Sequence, residues 1–455
     1  MNVDSINIKA IKATNLRVDA SYHLSEGQEV KRIINSCPYE MLTIKDVSSD
    51  IFIGGRAKRV YVTKKEHGIP FLSSSDILQA DLENVKLASK KYTPNLEQMK
   101  LKKGWTLISR SGTIGNCAFA NAKHAQKLAS EDVIRVNPNN ILRQGLIYAY
   151  LTSKYGHSLL TQGTFGAVIQ HIEPAFVGSL PIPNFPESFQ IEVDNLIQES
   201  AKLREEATDA LEEAHSLIES EFDNNILSDK KSDRINIKNI INVDMKRFDA
   251  SFHLAKAMKY ENQIKNGNYV LLSELCTTIF GGGRAKRYYT DDKSKAVPYL
   301  SNSDLTKANT LRTCKYSLSS KSDSSDLLKK GMIVTGRVGA IGQTQLIGQS
   351  FEDMKVMGSD NVIRIVPVTN NGYIFAFLSS KIGNSLFWKY ATGGVQPFIS
   401  STMVGLISIP VLKDKIIKSC NALIETYISK KELSNIKENE AISMVEAEIE
   451  KWNKH

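Results

Sequence analysis

The chain lacks long apolar runs, closely spaced cysteines and a recognisable leader. No apolar run approaches the ~20 residues that a membrane-spanning helix needs. Residues 1–9 do not place a basic segment before an apolar stretch, as a secretory signal does. The five cysteines are widely spaced and contain no C-x-x-C pair, which argues against a zinc site or a disulfide framework. We therefore expect a soluble protein of a reducing compartment, the cytoplasm.

Motifs of the common catalytic classes are missing as well. The dipeptide Gly-Lys does not occur, which excludes the phosphate-binding loop of P-loop NTPases. Neither an H-E-x-x-H motif nor the Asn/Asp-Pro-Pro-aromatic motif of amino-methyltransferases is present, and the eight histidines do not cluster. Gly336–Gly342 resembles a phosphate loop, but its counterpart in the first half keeps only R-x-G-x-I-G, which favours a tight turn. The sequence thus predicts no catalytic residue, no metal site and no cofactor on this chain.

The charge of the chain is distributed in blocks. Its 455 residues are enough for two to four domains of roughly 100–200 residues each. Residues 1–186 carry a net charge of +8 and residues 223–412 carry +10, whereas residues 187–222 carry −9 and the remainder is neutral. Basic globular blocks predict a polyanionic partner, and the acidic segment must have a different role.

The two basic blocks are copies of one another. Ile51–Tyr61 (IFIGGRAKRVY) returns as Ile279–Tyr289 (IFGGGRAKRYY), and nine of 13 positions match in the window that starts at these isoleucines. Further pairs follow in the same order, namely RVDASYHL at 17–24 with RFDASFHL at 247–254, PFLSSSDI at 70–77 with PYLSNSDL at 298–305, and LKKG at 101–104 with LKKG at 328–331. The offset stays between 227 and 230, which indicates a tandem duplication of a whole domain.

Each half is expected to contain a mixed α/β (α+β) domain followed by a long helix. The domains are predicted over 1–186 and 223–412, and the helices over 187–222 and 413–455. Residues 187–222 and 413–452 contain neither Gly nor Pro, and at 1.5 Å per residue each helix is about 54–60 Å long. Alternating spacings of three and four between apolar residues predict coiled-coil positions. The short seam of Ala residues and the duplication favour antiparallel pairing within one chain around a pseudo-twofold axis, with a homodimer zipper as the alternative. The predicted pairing residues are Leu196, Leu203, Ala207, Ala210, Ala214, Leu217, Ile417, Ile424 and Ile428.

The strongest functional signal is the repeated Gly-Gly-Arg-Ala-Lys-Arg segment. Its glycines permit a flexible or closely approaching backbone, and its cations can contact phosphates or fork onto guanine O6 and N7. The tyrosine that follows can touch a sugar or a thymine methyl group. An ordinary solvated basic loop is the alternative, which the retention of Arg-Ala-Lys-Arg in both copies disfavours. The predicted DNA-binding residues are Gly54, Gly55, Arg56, Lys58, Arg59 and Tyr61 in the first half and Gly282, Gly283, Arg284, Lys286, Arg287 and Tyr289 in the second.

Three further repeated segments supply weaker candidates for DNA contact. The SSSD and SNSD segments can face base edges or, equally, cap a following turn. A pair of related segments carries Gln and His side chains that can read adenine N6 and N7. An arginine opens R-x-G-x-I-G in both copies. The candidates are Ser73, Ser74, Arg110, Gln170, His171, Ser301, Asn302, Arg337 and Gln396.

Taken in order, these motifs resemble the specificity subunit of type I restriction–modification systems over essentially the whole chain. The resemblance is carried by Leu101–Gly115 (LKKGWTLISRSGTIG) and Val177–Pro183 (VGSLPIP), with second copies at 328–342 and 404–410. The Glu-Gln pair that the family often has at the start of the helix is only approximated by Pro186–Gln190.

The resemblance implies a non-catalytic subunit with two target-recognition domains and antiparallel helices. It implies double-stranded DNA, two methyltransferase subunits and restriction/translocase subunits as partners. S-adenosylmethionine, ATP and Mg²⁺ would belong to those partners, and the target would be bipartite, with a spacer set by the helices. Because the basic loops are nearly identical, we also predict half-sites that are wholly or partly palindromic. A stand-alone DNA-binding regulator and an enzyme with degenerate motifs are the alternatives.

Overall fold

The computed structural model describes residues 26–56, 58–83, 85–162, 171–222, 247, 252–253, 256–284, 286–290, 292–318 and 326–452. These residues fall into two compact units, the first within 1–205 and 433–455 and the second within 206–432. The predicted motif at 17–24 and the predicted DNA contact Gln170 lie outside the described residues.

The described residues of the first unit form ten short strands, and the unit is mixed α/β, as predicted. Its strands are β1 (Met41–Thr43), β2 (Ser48–Ile53), β3 (Tyr61–Val62), β4 (Gly68–Leu72), β5 (Leu87–Ser89), β6 (Thr106–Ser109), β7 (Cys117–Phe119), β8 (Leu128–Ala129), β9 (Val133–Pro138) and β10 (Pro181–Pro183). They form an antiparallel sheet of order β2-β9-β6-β7, a second sheet of order β3-β5-β4-β8 in which β4 and β8 are parallel, and a β1-β10 ribbon.

The helices of this unit pack mainly on the antiparallel sheet. They are α1 (Glu26–Asn35), α2 (Leu96–Met99), α3 (Gln144–Thr152), α4 (Lys154–Gln162), α5 (Pro174–Gly178) and the long α6 (Glu187–Glu219). The strand β9 has apolar contacts on both of its faces. Ile134 and Val136 belong to the main core with α3 and α4, whereas Val133 belongs to a smaller core on the opposite face. Because strand side chains alternate between faces, Arg135 lies on the side of the smaller core.

The second unit repeats this arrangement. Its strands are β11 (Tyr269–Leu271), β12 (Cys276–Gly281), β13 (Ala296–Leu300), β14 (Lys315–Leu318), β15 (Ile333–Gly336), β16 (Thr344–Leu346), β17 (Met357–Gly358), β18 (Val362–Pro367) and β19 (Ser408–Pro410). The order β12-β18-β15-β16 corresponds strand by strand to β2-β9-β6-β7, and β11-β19 corresponds to β1-β10. The other sheet, β14-β13-β17, is one strand smaller, because Tyr289 makes an isolated bridge to Ser317 where the first unit has β3.

Most of the described helices of the second unit also have counterparts in the first. They are α7 (Lys256–Asn266), α8 (Thr310–Thr313), α9 (Gln349–Asp353), α10 (Asn371–Ser379), α11 (Lys381–Tyr390), α12 (Ser401–Gly405) and α13 (Asp414–Trp452). The helices α10 and α11 lie in the main core, as α3 and α4 do in the first unit. No helix among the described residues is long and apolar enough to cross a membrane.

The long helices α6 and α13 contact each other within each unit. In the first unit, Ser200 Oγ donates to the carbonyl of Ser434 over 2.8 Å and Ser434 Oγ donates to the carbonyl of Ser200 over 2.9 Å. Arg204 forms an ion pair with the buried Glu438 at 3.1 Å. In the second unit, the Cys420 thiol lies 3.9 Å from the Ala214 carbonyl. Glu206 also pairs with Lys430 in the second unit, so residues further along α6 meet residues earlier in α13 and the two helices are antiparallel there.

The predicted pairing residues differ in burial. Ala207, Ala210, Ala214 and Ile424 are buried in the core of the second unit, and Leu217, Ile417 and Ile428 pack against that core while partly exposed. Leu196 packs in the same way against the core of the first unit, and Leu203 is half-buried. The prediction omitted Val193, Ile197, Ala201 and Ile218, which are buried. Val193, Ile197 and Ala201 lie in the core of the first unit and Ile218 lies in that of the second, because each part of α6 packs on a globular domain as well as on α13. Its apolar stripe is therefore wider than a two-helix seam.

Candidate nucleic-acid interface

Four loops of the first unit meet at one edge of its sheets. The last residue of β2, Ile53, pairs with Ile134, and the last residue of β6, Ser109, pairs with Val133, so both strands end where β9 begins. The parallel pairing of Leu72 with the residue at the end of β8 brings the loop after β4 to the same place. We call the loops 54–60, 73–76, 110–116 and 129–132 the first loop face.

The second unit forms an equivalent surface. Gly281 of β12 pairs with Ile363, Gly336 of β15 pairs with Val362, and Leu300 of β13 pairs with Gly358. We call the loops 282–288, 301–304, 337–342 and 358–361 the second loop face. The predicted DNA-binding residues lie on one of these two faces or next to it, Gln170 excepted. Segments about 50 residues apart in sequence are therefore neighbours in each unit.

Several cations and aromatic rings of the basic loops are exposed. Arg56 and Lys58 are exposed on the first face. On the second face, the Arg284 side chain is 84% exposed and Lys286 is also exposed. Tyr61 and Tyr289, at 43% and 48% exposure, each have a lysine amine about 5 Å above the ring. These side chains present positive charge and aromatic surface to solvent, which is the chemistry that phosphates and bases bind.

The last arginine of each basic loop is held against the domain. Arg59 forms an ion pair with Glu131, and its guanidinium lies 4.8 Å from the Phe71 ring centroid. Partial burial opposes the charged form of Arg59, but the hydrogen bond to Tyr61 and the charge of Glu131 outweigh it and raise the pKa. In the second unit, Arg287 pairs with Asp360 and lies 5.2 Å from the Tyr299 ring.

A buried arginine lies beneath each basic loop. Arg135 is completely buried and donates to four backbone carbonyls, those of Ser130 at 3.1 Å, Val133 at 2.6 Å, Met99 at 3.3 Å and Ala129 at 2.6 Å. Burial lowers the pKa of this guanidinium to about 10. These bonds fix the turn that carries Glu131.

Arg364 occupies the same position in the second unit. It is completely buried and donates to the carbonyls of Ser359 at 2.8 Å, Val362 at 2.6 Å, Asp326 at 3.4 Å and Gly358 at 2.5 Å. Burial lowers its pKa as well. The turn that carries Asp360 is therefore fixed in the same way, by hydrogen bonds from a buried arginine.

The first glycine of each Gly-Gly pair is required by this buried arginine. A Cβ atom on Gly54 would lie 3.0 Å from Nη2 of Arg135, and one on Gly282 would lie 2.6 Å from Nη1 of Arg364. A Cβ atom on Gly283 would meet nothing within 4 Å. Close approach to the domain explains Gly54 and Gly282, whereas Gly283 is the position that remains open for an approaching ligand.

This difference predicts that alanine substitutions at the two adjacent glycines change the stability of the second unit by very different amounts. We expect Gly282→Ala to destabilise the second unit by about 1–3 kcal/mol, because the four carbonyls around Arg364 prevent the guanidinium from moving away. Gly283→Ala should change stability by less than about 0.5 kcal/mol. Thermal unfolding of the full chain measures both, and equal losses for the two variants would contradict the close-contact explanation.

The side chains of the serine-rich segments form hydrogen bonds within their own turns and to a neighbouring loop. Ser73 donates its hydroxyl to Asp76 over 2.6 Å, and Ser301 donates its hydroxyl to Asp304 over 2.5 Å. Asn302 donates its amide to the Val338 carbonyl over 2.5 Å, which ties two loops of the second face together. These contacts match the turn-capping alternative for both serines. Ser74 is half-buried.

The arginines of R-x-G-x-I-G differ between the units. Arg110 is 7% exposed, donates Nε to the Ile172 carbonyl over 3.1 Å and pairs with Glu173. Ile399 donates its amide to Arg337 as Ile172 does to Arg110, so the position after Ile399 corresponds to Glu173. That position is Ser400, which has no charge, and Arg337 is half-exposed. The second face thus presents an arginine that the first face keeps inside.

The remaining predicted contacts lie beside these arginines. His171 bridges to Ser111 and is 30% exposed. Gln396 is exposed in a loop that the backbones of Thr392 and Phe398 close with two hydrogen bonds of 2.8 Å. Phe398 also bridges to Val338, which places this loop next to the second face. No group of three or more His, Cys, Asp and Glu side chains in the described part of the chain is arranged to hold a metal ion.

Residues 38–190 match the family model of the type I restriction modification DNA specificity domain. These residues belong to the type I restriction–modification DNA specificity domain family. The match runs from the segment before β1 to the start of α6 and includes all of the first loop face. It confirms the resemblance seen in the sequence motifs.

Solved structures of specificity subunits are similar to the chain that contains this specificity domain. The S subunit of a type I restriction–modification system from M. genitalium is 14% identical over 92% of this chain and 96% of that chain, with a TM-score of 0.36. The HsdS subunit from Thermoanaerobacter tengcongensis is 11% identical over 91% of this chain and 96% of that chain, with a TM-score of 0.29. No curated protein matches the chain.

The residues that support the specificity domain's basic loop were missed in the sequence. Arg135 and Arg364 stand in the repeated V-I-R element of β9 and β18, and Glu131 and Asp360 each precede that element by two positions. Their recurrence at an offset of 229, against 228 for the basic loops, was the available signal. An arginine between branched apolar residues was not recognised as buried, because charged side chains are seldom fully buried.

Proposed function

We propose that this chain is the DNA-recognition subunit of a type I restriction–modification complex and reads a bipartite target with one loop face for each half-site. The observation that carries the proposal is the recurrence of one loop face in two units, the first of which lies in a DNA specificity domain. Each face presents exposed cations and an exposed tyrosine on a supported loop. Such a surface suits phosphate contact together with base contact.

We propose further that the chain directs partner subunits rather than acting on DNA itself. An adenine methyltransferase, present in two copies, and restriction/translocase subunits would join it and would hold S-adenosylmethionine, ATP and Mg²⁺. The charge of −9 on residues 187–222 supports a role in spacing or docking, because DNA phosphates would repel it. The near-identity of the basic loops supports half-sites of related sequence. Arg337 is half-exposed whereas Arg110 is buried, which supports an additional determinant of DNA recognition in the second unit.

A selection from a random duplex library tests this function. The full chain would be used alone and together with the methyltransferase from the same gene neighbourhood. We expect a bipartite motif with a constant spacer to be enriched in the presence of both proteins, and the methyltransferase alone to enrich none. Enrichment of the same motif by the chain alone, unaltered by the methyltransferase, would instead indicate a stand-alone DNA-binding protein.

If the long helices set the spacer between the two DNA half-sites, lengthening both helices should lengthen the spacer. We expect duplication of residues 199–205 and of 433–439 in the same protein to lengthen both helices by seven residues, about 10.5 Å. The duplicated segments bring their own partners, because Ser200 pairs with Ser434 and Arg204 with Glu438. At roughly 34 Å per helical turn of DNA, the spacer should grow by about 3 base pairs while both half-sites stay the same.

The control for this experiment is duplication of 199–205 alone. It leaves the two helices unequal in length, so that Ser200 and Ser434 can no longer be matched along the whole pair. We expect this variant to lose sequence-specific binding rather than to shift the spacer. A doubly extended protein that selects the original spacer would show that the helices do not set the distance between half-sites.

A further inference from the structure

The structure assigns a positioning role to Glu131 and Asp360. Each carboxylate holds the last arginine of its basic loop against the domain, so that the exposed cations earlier in the loop are presented in one arrangement. This inference rests on the proposed function, because the presentation of the loops matters for recognition only if they read DNA. Under this inference, the first arginine and the lysine of each Arg-Ala-Lys-Arg segment face DNA, and the last arginine anchors the loop.

In the first unit, Arg59 is enclosed from two sides. Its guanidinium pairs with Glu131, and the Phe71 ring lies 4.8 Å from it. The two charged side chains are 24% and 17% exposed. Arg59 therefore has much of its surface committed inside the domain, whereas Arg56 and Lys58 are exposed. The end of the loop is fixed, and its middle faces solvent.

The second unit reproduces the arrangement with different residues. Arg287 pairs with Asp360 and lies 5.2 Å from the Tyr299 ring. The exposed Arg284 has its Nε 3.9 Å from the same carboxylate. Glutamate has become aspartate and phenylalanine has become tyrosine, yet the acid, the ring and the arginine occupy equivalent positions. Because the two copies have diverged around this contact, its retention indicates that the loop depends on it.

The beginning of each loop lies beside the buried arginine of its unit. Gly54 approaches Arg135, which also binds the carbonyls of the turn that carries Glu131. In the second unit, the Gly283 amide donates to Asp326 over 3.3 Å, and this carboxylate lies 3.6 Å from Arg364. In each unit the beginning of the basic loop therefore lies beside the buried arginine, and the end of the loop pairs with the acid on the turn that this arginine supports.

A carboxylate near a DNA-binding loop opposes binding by simple electrostatics, because phosphates carry the same charge. If this carboxylate favours DNA binding, it does so by ordering the basic loop before the loop binds. A loop with two glycines loses much conformational freedom when it binds, and fixing both of its ends beforehand reduces that loss. Positioning and electrostatic repulsion therefore predict opposite results when the carboxylate is replaced by an amide.

The test uses Glu131→Gln and Asp360→Asn in the full chain with its methyltransferase. Each variant removes one negative charge, so each serves as the charge-matched control for the other. We expect Glu131→Gln to lower base discrimination about tenfold at the half-site of the first unit only, and Asp360→Asn to do so at the other half-site only. Glu131→Asp should keep most of the discrimination, because it keeps the carboxylate.

Amide hydrogen exchange of the chain without DNA provides a readout that does not depend on recognition. We expect faster exchange over 54–60 in Glu131→Gln and over 282–288 in Asp360→Asn, with no change in the other loop. Unchanged exchange, or an equal gain in affinity for all sequences, would overturn the positioning role. If the wild-type chain selects no bipartite motif while loop exchange responds as expected, the proposed function fails and the anchoring of the loop stands.

Discussion

We expect replacement of Arg284 by Ala to lower affinity for the cognate half-site of the second unit by about 5- to 150-fold, corresponding to ~1–3 kcal/mol. The reason is the high exposure of this guanidinium on a loop whose ends are held, which suits it to a bidentate contact with a guanine. Arg56→Ala is the matched variant in the first unit and should affect the other half-site. Equilibrium binding to duplexes with one half-site randomised measures both effects.

Salt dependence distinguishes a base contact from a phosphate contact. If Arg284 contacts a base, the substitution relaxes sequence preference at one position and leaves the salt slope almost unchanged. If it contacts a phosphate, affinity falls for every sequence alike and the slope decreases by about 1. Loss of affinity at both half-sites from one substitution would contradict the assignment of one loop face to each half.

Replacement of Arg135 by Met has the largest expected effect on stability, about 3–5 kcal/mol. Methionine can fill the volume, but it leaves four buried carbonyl groups without the donors that the guanidinium supplies. Arg135→Lys should cost less, since an ammonium group still donates three hydrogen bonds, though without the planar fork of the guanidinium.

Arg143→Met is the control for this substitution. Arg143 lies in the same unit, is exposed and undergoes the same chemical change, so its expected loss is within about 0.5 kcal/mol. Chemical denaturation of the full chain, followed by fluorescence, compares the variants. If Arg135→Met were as stable as wild type, desolvation of the buried charge would outweigh its hydrogen bonds, and Arg135 would not be a structural support.

The sequence was sufficient to predict the mixed α/β class and the family. β-like runs such as Asp132–Val136 and glycine-containing turns indicated short strands, and the repeated motifs indicated two copies of one arrangement. The family match over residues 38–190 confirms the interpretation of the motifs. The fold class and the family could be predicted because they depend on patterns within short segments and on the similarity of the two copies.

The support of the loop faces could not be predicted, because it depends on contacts between distant residues. Arg59 and Glu131 are 72 positions apart, and the basic loop gives no indication of which acid it meets. Further buried residues of α6 were missed for a related reason. A spacing of three and four identifies an apolar stripe, but Val193 and Ile197 became buried because the globular domain also packs on α6.

The most direct test of the central claim is to map N6-methyladenine in DNA exposed to the neighbouring methyltransferase and S-adenosylmethionine, with and without this chain. We expect methylation within a bipartite motif that appears only when the chain is present, and we expect Arg56→Ala and Arg284→Ala to relax opposite halves of it. Methylation at the same sites without the chain, or a motif with a single undivided half, would contradict the assignment of two DNA-reading loop faces to one specificity subunit.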